Sequence, residues 1–309
     1  MAAGSYQVDV VLDAKAQIGE GPVYEEETNE LLWVDIPGKT INFLNLKDFS
    51  NRRLQFTKTV GAVIPCKTGS NLIAVLGQSV CMVDRTTGDV KELCSVQREK
   101  ETTRFNDSKC DKSGRLWCGT MAMETAPGVL EEKQGNLYSF DGIGGLHHHV
   151  SEVTISNGLE WSLDNTTMYY IDSIPCEVYS FKYDELTGQI SDKKVIIDYS
   201  TDKALGLPDG MCRDSEGKLW IASYNGGCVT RWDPNTGERM MQIPLPARRI
   251  TSCCFGGSDY STLYVTSASS GASPEELSQY PLSGALFAIR GLPVNGLPSN
   301  KFDNSKINI

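Results

Sequence analysis

Histidine is nearly absent from this 309-residue chain, and its scarcity excludes several kinds of chemistry. The only three copies, His147, His148 and His149, are consecutive. Three adjacent side chains cannot all point to one face of a strand, so we expect an exposed loop or a strand edge. A serine hydrolase triad or a histidine general base is not expected, because each needs a histidine beside the reacting group. Any catalysis is left to carboxylates and a bound metal.

Positive charge and long apolar runs are also in short supply. The formal net charge is −10 and the sequence pI is about 4.9. A surface this acidic argues against nucleic-acid and anionic-membrane partners. No stretch approaches the roughly 20 apolar residues of a membrane-spanning helix, and residues 1–6 show no secretory leader. We therefore predict a cytoplasmic protein without nucleic-acid or membrane partners, and we expect a monomer.

Paired-cysteine and phosphate-binding motifs are missing as well. The ten cysteines include no Cys-x-x-Cys pair, so we expect reduced, buried thiols without structural disulfides. No glycine-rich loop stands between a strand and a helix, which leaves nucleotide chemistry unsupported. An EF-hand loop is absent too, so any calcium site must be built differently.

What the chain does contain is a sixfold repeat. Each copy is a dipeptide followed by an apolar strand core, whose second residue lies 11 to 13 residues after the start of the dipeptide. The six dipeptides are Glu20-Gly21, Gly61-Ala62, Asn106-Asp107, Asn157-Gly158, Asp209-Gly210 and Ser252-Cys253. Successive strand cores lie roughly 40 to 50 residues apart, a period typical of propeller blades. Short polar turns and alternating strands fill the rest of each copy.

This pattern predicts an all-β fold, one six-bladed β-propeller domain over residues 1–309. No long segment has a helical period. The run from Ser273 to Gln279 could form one helical turn, but we favour a loop.

Four of the six repeats place a hydrogen-bonding side chain at the same position. These residues are Glu20, Asn106, Asn157 and Asp209, whereas Gly61 and Ser252 occupy the other two positions. We expect the position to start the innermost strand of each blade, so that the four groups meet at one mouth of the central channel. They could simply bond channel water. Converging carboxylates favour a divalent cation instead, with Ca²⁺, Mg²⁺ or Mn²⁺ preferred and Zn²⁺ possible.

Several motifs together resemble the senescence marker protein-30/gluconolactonase family. They include Ile18-Gly19-Glu20-Gly21-Pro22, Arg104-Phe105-Asn106-Asp107, Ile155-Ser156-Asn157-Gly158-Leu159 and Pro208-Asp209-Gly210-Met211. The resemblance runs in order from about residue 8 to residue 295 and in phase with the six repeats. Two departures bear on substrate preference: Ser108 replaces the family's usual glycine, and Tyr24 stands where many members have tryptophan.

The resemblance implies a metal-dependent lactonase that hydrolyses a sugar lactone to the aldonic acid. It implies one divalent cation held by Glu20, Asn157 and Asp209, with Asp209 also acting as general acid and base. Arg104, Asn106 and Glu124 would bind the sugar hydroxyls, and residues 121–134 would form a loop over the site. Two alternatives stay open: a cytosolic calcium-binding regulator without important turnover, and a related propeller hydrolase acting on phosphotriesters or another lactone.

Overall fold

Six four-stranded antiparallel sheets form the protein. The computed structural model describes residues 6–96 and 102–307. Residues 1–5, which carry most of the expectation about a leader, lie outside that range. The N-terminal strand is β1 (Gln7–Leu12). The first sheet contains β2 (Gly19–Glu25), β3 (Glu30–Asp35), β4 (Thr40–Asn45) and β5 (Asn51–Gln55). The second contains β6 (Val60–Pro65), β7 (Leu72–Leu76), β8 (Ser79–Val83) and β9 (Val90–Ser95).

The remaining sheets follow in chain order. The third contains β10 (Thr103–Cys110), β11 (Leu116–Ala122), β12 (Gly135–Phe140) and β13 (His147–Val153). The fourth contains β14 (Ser156–Trp161), β15 (Thr167–Asp172), β16 (Glu177–Tyr183) and β17 (Ile190–Asp198). The fifth contains β18 (Gly206–Arg213), β19 (Leu219–Asn225), β20 (Cys228–Asp233) and β21 (Glu238–Pro244). The sixth contains β22 (Arg249–Gly256), β23 (Thr262–Ala268) and β24 (Leu286–Arg290).

Strand β1 completes the sixth sheet and closes the ring. It pairs antiparallel with β24, with Asp9 opposite Ala288, and gives the order β1-β24-β23-β22. The first strand of the chain is thereby hydrogen-bonded to the last blade, which removes the edge that an open ring would leave. The prediction of an all-β six-bladed propeller is confirmed.

Tryptophans from the repeats pack in the apolar layers between blades. Trp33, Trp117 and Trp220, which lie in the repeated apolar strand cores, are at most 2% exposed. A fully buried aspartate accepts the indole N–H in two blades: Asp111 from Trp117 and Asp214 from Trp220, each at 2.9 Å. Each aspartate satisfies a donor that burial would otherwise leave unpaired, so the turn residue and the tryptophan fix one another.

Every innermost strand carries a β-bulge at or directly beside the repeated dipeptide. The pairing register shifts between Glu20 and Val23, and in the same way in the other five inner strands. A bulge re-aims side chains and increases the local twist. The repeated residues therefore lie at the bulge, two to four positions into their strands, and not at the first position as the sequence analysis expected.

One local prediction is wrong. Residues Pro274–Gln279 form a short helix, α1, where we favoured a loop. Ser273 caps it by accepting the N–H of Glu276 at 3.2 Å, and Pro274 occupies the first turn. This serine–proline start is a recognised helix signal that the absence of a longer period obscured. Three short 3₁₀ helices cover Tyr199–Thr201, Lys203–Leu205 and Asn304–Lys306.

The histidine run lies on β13, the outermost strand of the third blade. Two of the three side chains are exposed, as expected for a strand edge. His149 is half-buried: its ring stacks on Trp117 at 4.4 Å and its Nε2 lies 2.8 Å from Ser139 Oγ. Burial lowers the pKa of His149 to about 4, so this ring is a neutral packing element.

The ten cysteines are all free thiols. Across residues 6–96 and 102–307, no helix is long and apolar enough to cross a membrane. The cytoplasmic location and the monomeric state stay predictions.

Candidate active site

Two turn aspartates fix the entry of inner strands into the channel. Asp35 accepts the N–H of Ile18 at 3.1 Å, and Asp172 accepts the N–H of Ile155 at 3.0 Å. In both blades a predicted metal ligand follows two residues further on. The same aspartate-to-backbone hydrogen bond therefore fixes where those ligands lie along the channel axis.

Glycines after the predicted ligands let neighbouring inner strands approach closely. A Cβ on Gly158 would lie 2.7 Å from Met211 Cγ and 2.9 Å from the carbonyl oxygen of Asp209. A Cβ on Gly210 would lie 2.1 Å from Ser252 Oγ. Glycine at these positions brings the strands together at the axis, which is where the ligands must converge.

A cavity of about 270 Å³ opens above this convergence. Its walls include all six residues that the sequence analysis assigned to the site: Glu20, Arg104, Asn106, Glu124, Asn157 and Asp209. Five of them are at least 92% buried, whereas Glu124 lies exposed on the loop that follows β11. The loop predicted over the site contributes Met121, Gly128 and Leu130 to the walls.

Glu20 and Asp209 form a buried carboxylate pair close enough to share a hydrogen bond. Burial first, and then the charge of Asp107, raise the pKa of Glu20 to about 8. Burial and the charge of Glu20 raise the pKa of Asp209 well above its usual value. Two buried like charges are stable only if a proton or a cation lies between them.

A chain of hydrogen bonds orients the amides beside this pair. Arg104 Nη1 donates to Asn106 Oδ1 at 2.6 Å, and Asn106 Nδ2 donates to Asn157 Oδ1 at 2.9 Å. Asn157 Nδ2 donates to Ser173 Oγ at 2.8 Å, and that hydroxyl donates to the Pro208 carbonyl at 2.7 Å. The amide nitrogen of Asn157 is therefore committed, and its oxygen keeps one lone pair for a ligand.

Arg104 and Glu124 form the polar side of the cleft. Burial lowers the pKa of Arg104 to about 10, partly offset by the charges of Glu124 and Glu20, so the guanidinium stays charged near neutral pH. Glu124 Oε1 accepts the N–H of Gly128 at 2.9 Å, which ties the carboxylate to the turn of its own loop. Both groups can hydrogen-bond a ligand hydroxyl.

Two residues near the axis were not assigned from the sequence. Ser173 holds Asn157 in place, and its position after Asp172 in a repeated turn was the available signal. Asp107 lies behind the carboxylate pair, where burial raises its pKa to about 6. It directly follows Asn106, but only the bulge shows that it points away from the cleft toward a second cavity of about 60 Å³.

The donor set fits a divalent cation. Two carboxylates and one amide oxygen are hard ligands, and burial raises the pKa of both carboxyls, so a cation beside them would offset the cost of ionising the pair. In the described part of the chain, no group of three or more His, Cys, Asp or Glu side chains is arranged to hold a metal. A cation at this position would therefore need the Asn157 oxygen. Metal binding by Glu20, Asn157 and Asp209 stays a prediction.

Comparison with known proteins identifies the family. A family model described as SMP-30/gluconolactonase/LRE-like region matches residues 18–269, which contain the whole channel site. The chain belongs to this family. The resemblance of the motifs to this family is confirmed. Within the family the chain is similar to regucalcin: regucalcin of Oryctolagus cuniculus is 45% identical over 294 residues, covering 95% of this chain and 97% of that protein.

Solved structures of the SMP-30/gluconolactonase/LRE-like fold superpose on the whole propeller. A luciferin-regenerating enzyme gives a TM-score of 0.91 at 28% identity, covering 97% of this chain and 100% of that chain. A calcium-binding protein, regucalcin from Agrobacterium tumefaciens, gives 0.88 at 25% identity, covering 97% of each chain. The family includes gluconolactonases, which are lactone hydrolases, so membership supports an enzyme of this general class.

Proposed function

We propose that this protein is a divalent-metal-dependent lactonase that hydrolyses a sugar lactone, of the gluconolactone type, to the aldonic acid. Glu20, Asn157 and Asp209 hold the cation, and Asp209 is also the general acid and base. Arg104, Asn106 and Glu124 bind the hydroxyls of the sugar ring. Family membership supports the reaction class, and the walls of the cleft supply groups for each role.

The observation that carries this proposal is the buried carboxylate pair. A protein that only needed a stable channel would be better served by neutral or apolar side chains there, because the paired charges cost free energy. A bound cation offsets this cost. It gives a reason for placing Glu20 and Asp209 in contact, with Asn157 oriented beside them. A propeller that only binds proteins would gain nothing from these three side chains in its channel.

The catalytic steps follow from where the protein groups lie. The chemistry that a bound divalent cation supplies is polarisation of the lactone carbonyl and a lowered pKa for water. Arg104 and Asn106 orient the ring from one side of the cleft. Asp209 takes a proton as water attacks the carbonyl carbon, and returns it to the ring oxygen as the carbon–oxygen bond breaks. The product is the open-chain hydroxy acid.

The test is hydrolysis of D-glucono-δ-lactone, followed by acid release. Metal-stripped protein is reloaded separately with Ca²⁺, Mg²⁺, Mn²⁺ and Zn²⁺, and Asp209→Asn is compared with Asp192→Asn, an exposed aspartate outside the cleft. We expect metal-dependent hydrolysis that differs strongly between ions and disappears only in the Asp209 variant. Folded protein without hydrolysis under any ion would refute the gluconolactonase assignment, and equal turnover with all four ions would contradict the expected dependence on the ion.

A calcium-binding regulator is the second candidate, because one regucalcin relative is 45% identical and one solved relative is described as a calcium-binding protein. Both candidates use the same site. Two carboxylates and one amide supply few charges for calcium, so we expect modest affinity. Calorimetric titration with Ca²⁺ separates them: a submicromolar dissociation constant without lactone hydrolysis would favour the regulator.

A further inference from the structure

The floor and the rim of the cleft differ sharply in chemistry. The floor is the polar set of Glu20, Asn157 and Asp209 with the amide network beside it. Above it, five branched apolar side chains line the same cavity. These five residues form what we call the apolar rim: Ile18, Ile36, Ile155, Ile174 and Leu207.

Three of the five rim residues stand at the same position of the sequence repeat. Ile18, Ile155 and Leu207 each precede one of the three predicted ligands by two residues. Ile18 and Ile155 lie one residue before β2 and β14, Leu207 lies near the start of β18, and all three line the same cavity as the ligands that follow them. The exception among the polar positions is Arg104, which precedes Asn106 by two.

The other two rim residues come from equivalent turns. Ile36 follows Asp35 and Ile174 follows Ser173, and a proline comes next in both turns. Ile36 is buried against the core, but Ile174 is 37% exposed and the remaining rim side chains are only half-buried. Apolar surface therefore stays in contact with water inside the cleft, where a ligand can cover it.

A fully hydroxylated sugar ring uses this rim poorly. Branched aliphatic side chains offer no hydrogen bonds, so hydroxyls pressed against them would lose their bonds to water. A lactone that reaches the floor with its ester group and covers the rim with an aliphatic chain would satisfy both surfaces.

We propose that the site binds and hydrolyses lactones that carry an alkyl substituent, with the chain lying on the apolar rim. The hydrolysis part of this statement rests on the lactonase function proposed above. The binding part rests only on the geometry of the rim. The reaction is the same hydrolysis: water adds across the ester bond, and the alkyl chain remains on the hydroxy-acid product.

Binding is tested with ligands that the enzyme does not need to turn over. Alkyl-substituted δ-lactams, from methyl to pentyl, are titrated calorimetrically into metal-loaded protein. We expect the dissociation constant to fall roughly two- to fourfold for each added CH₂, the range for partial to full burial. In Ile174→Ser the ratio between the methyl and pentyl lactams should shrink at least threefold. Leu186→Ser, a 91% exposed leucine outside the cleft, should leave the ratio unchanged.

The outcomes separate this proposal from the lactonase assignment. Hydrolysis of the matching alkyl lactones is measured beside that of D-glucono-δ-lactone. A dissociation constant that is independent of chain length, or a ratio that Ile174→Ser leaves intact, overturns the alkyl proposal even if gluconolactone is hydrolysed. Tighter binding with each CH₂ but no hydrolysis of any lactone upholds the ligand class and refutes the enzyme.

Discussion

Replacing Glu20 with glutamine should stabilise the metal-free protein and weaken its metal binding. Glu20 is 5% exposed, it shares the channel floor with Asp209, and the charge of Asp107 behind the pair also acts on it. Glutamine keeps the size of the side chain and removes its charge. The variant therefore isolates the electrostatic cost of holding a carboxylate at this point, which the wild-type protein recovers only when a cation binds.

The magnitude follows from the raised pKa. Burial and the charge of Asp107 raise the pKa of Glu20 from its usual 4.5 to about 8. An acid whose folded pKa is raised lowers the free energy of unfolding as pH rises, beginning near the unfolded value and ending near the folded one. At pH 7 the cost amounts to about 3 kcal/mol, at about 1.4 kcal/mol per pH unit between the two values. Removing the charge should return that amount.

Urea unfolding of chelator-treated protein, followed by tryptophan fluorescence, measures this directly. The difference in unfolding free energy between Glu20→Gln and wild type should grow by about 3 kcal/mol from pH 5 to pH 8. Added cation should then raise the stability of the wild type more than that of the variant. Glu152→Gln, which alters an exposed carboxylate, serves as the control. A difference that does not change with pH would refute the reasoning.

Three further predictions address the site and its scaffold. Metal binding at pH 7 should release at least about one proton, because the raised pKa of Glu20 leaves that carboxyl protonated in the metal-free protein. Calorimetry in buffers of different ionisation enthalpy measures the number of protons released, and a value of zero would contradict the raised pKa of Glu20. Arg104→Lys should raise KM for gluconolactone about tenfold, since lysine lacks the guanidinium whose Nη1 donates to Asn106, and should leave metal affinity unchanged, since lysine keeps the positive charge. An unaltered KM would remove Arg104 from substrate binding. Gly158→Ala should destabilise the protein by about 1–3 kcal/mol because its Cβ would meet Met211 and Asp209. Gly145→Ala, with open space around it, should change the stability little. Equal thermal shifts for the two variants would contradict the close approach of the strands.

The number of blades could be predicted because each blade has its own local sequence pattern. A dipeptide, a turn and an apolar strand core recur six times, and each copy is too short to bury its own apolar face. The structure adds that β1 belongs to the last blade, a long-range pairing with no local signal near Gln7–Leu12. The short helix after Ser273 was missed because one turn is too brief to show a period.

The residues of the candidate site could be predicted from the sequence, but their hydrogen-bond partners and side-chain directions could not. The recurrence of Glu20, Asn157 and Asp209 at one phase of the repeat predicted that they converge, and the structure brings them to one cavity. Their hydrogen-bond partners could not be predicted. Ser173 reaches Asn157 across 16 residues of chain, and a one-residue bulge decides that Asn106 faces the cleft while Asp107 faces away.

The sequence by itself determined the fold class, the family and the residues that meet at the axis, because periodicity and motif order are properties of the chain alone. Only the tertiary structure decided which carboxylates touch, how far burial raises their pKa values, and that an apolar rim lies above a polar floor. Those properties depend on distances between strands more than 100 residues apart, such as the Glu20 and Asp209 strands. Local sequence carries no measure of such distances, which arise only when the ring closes.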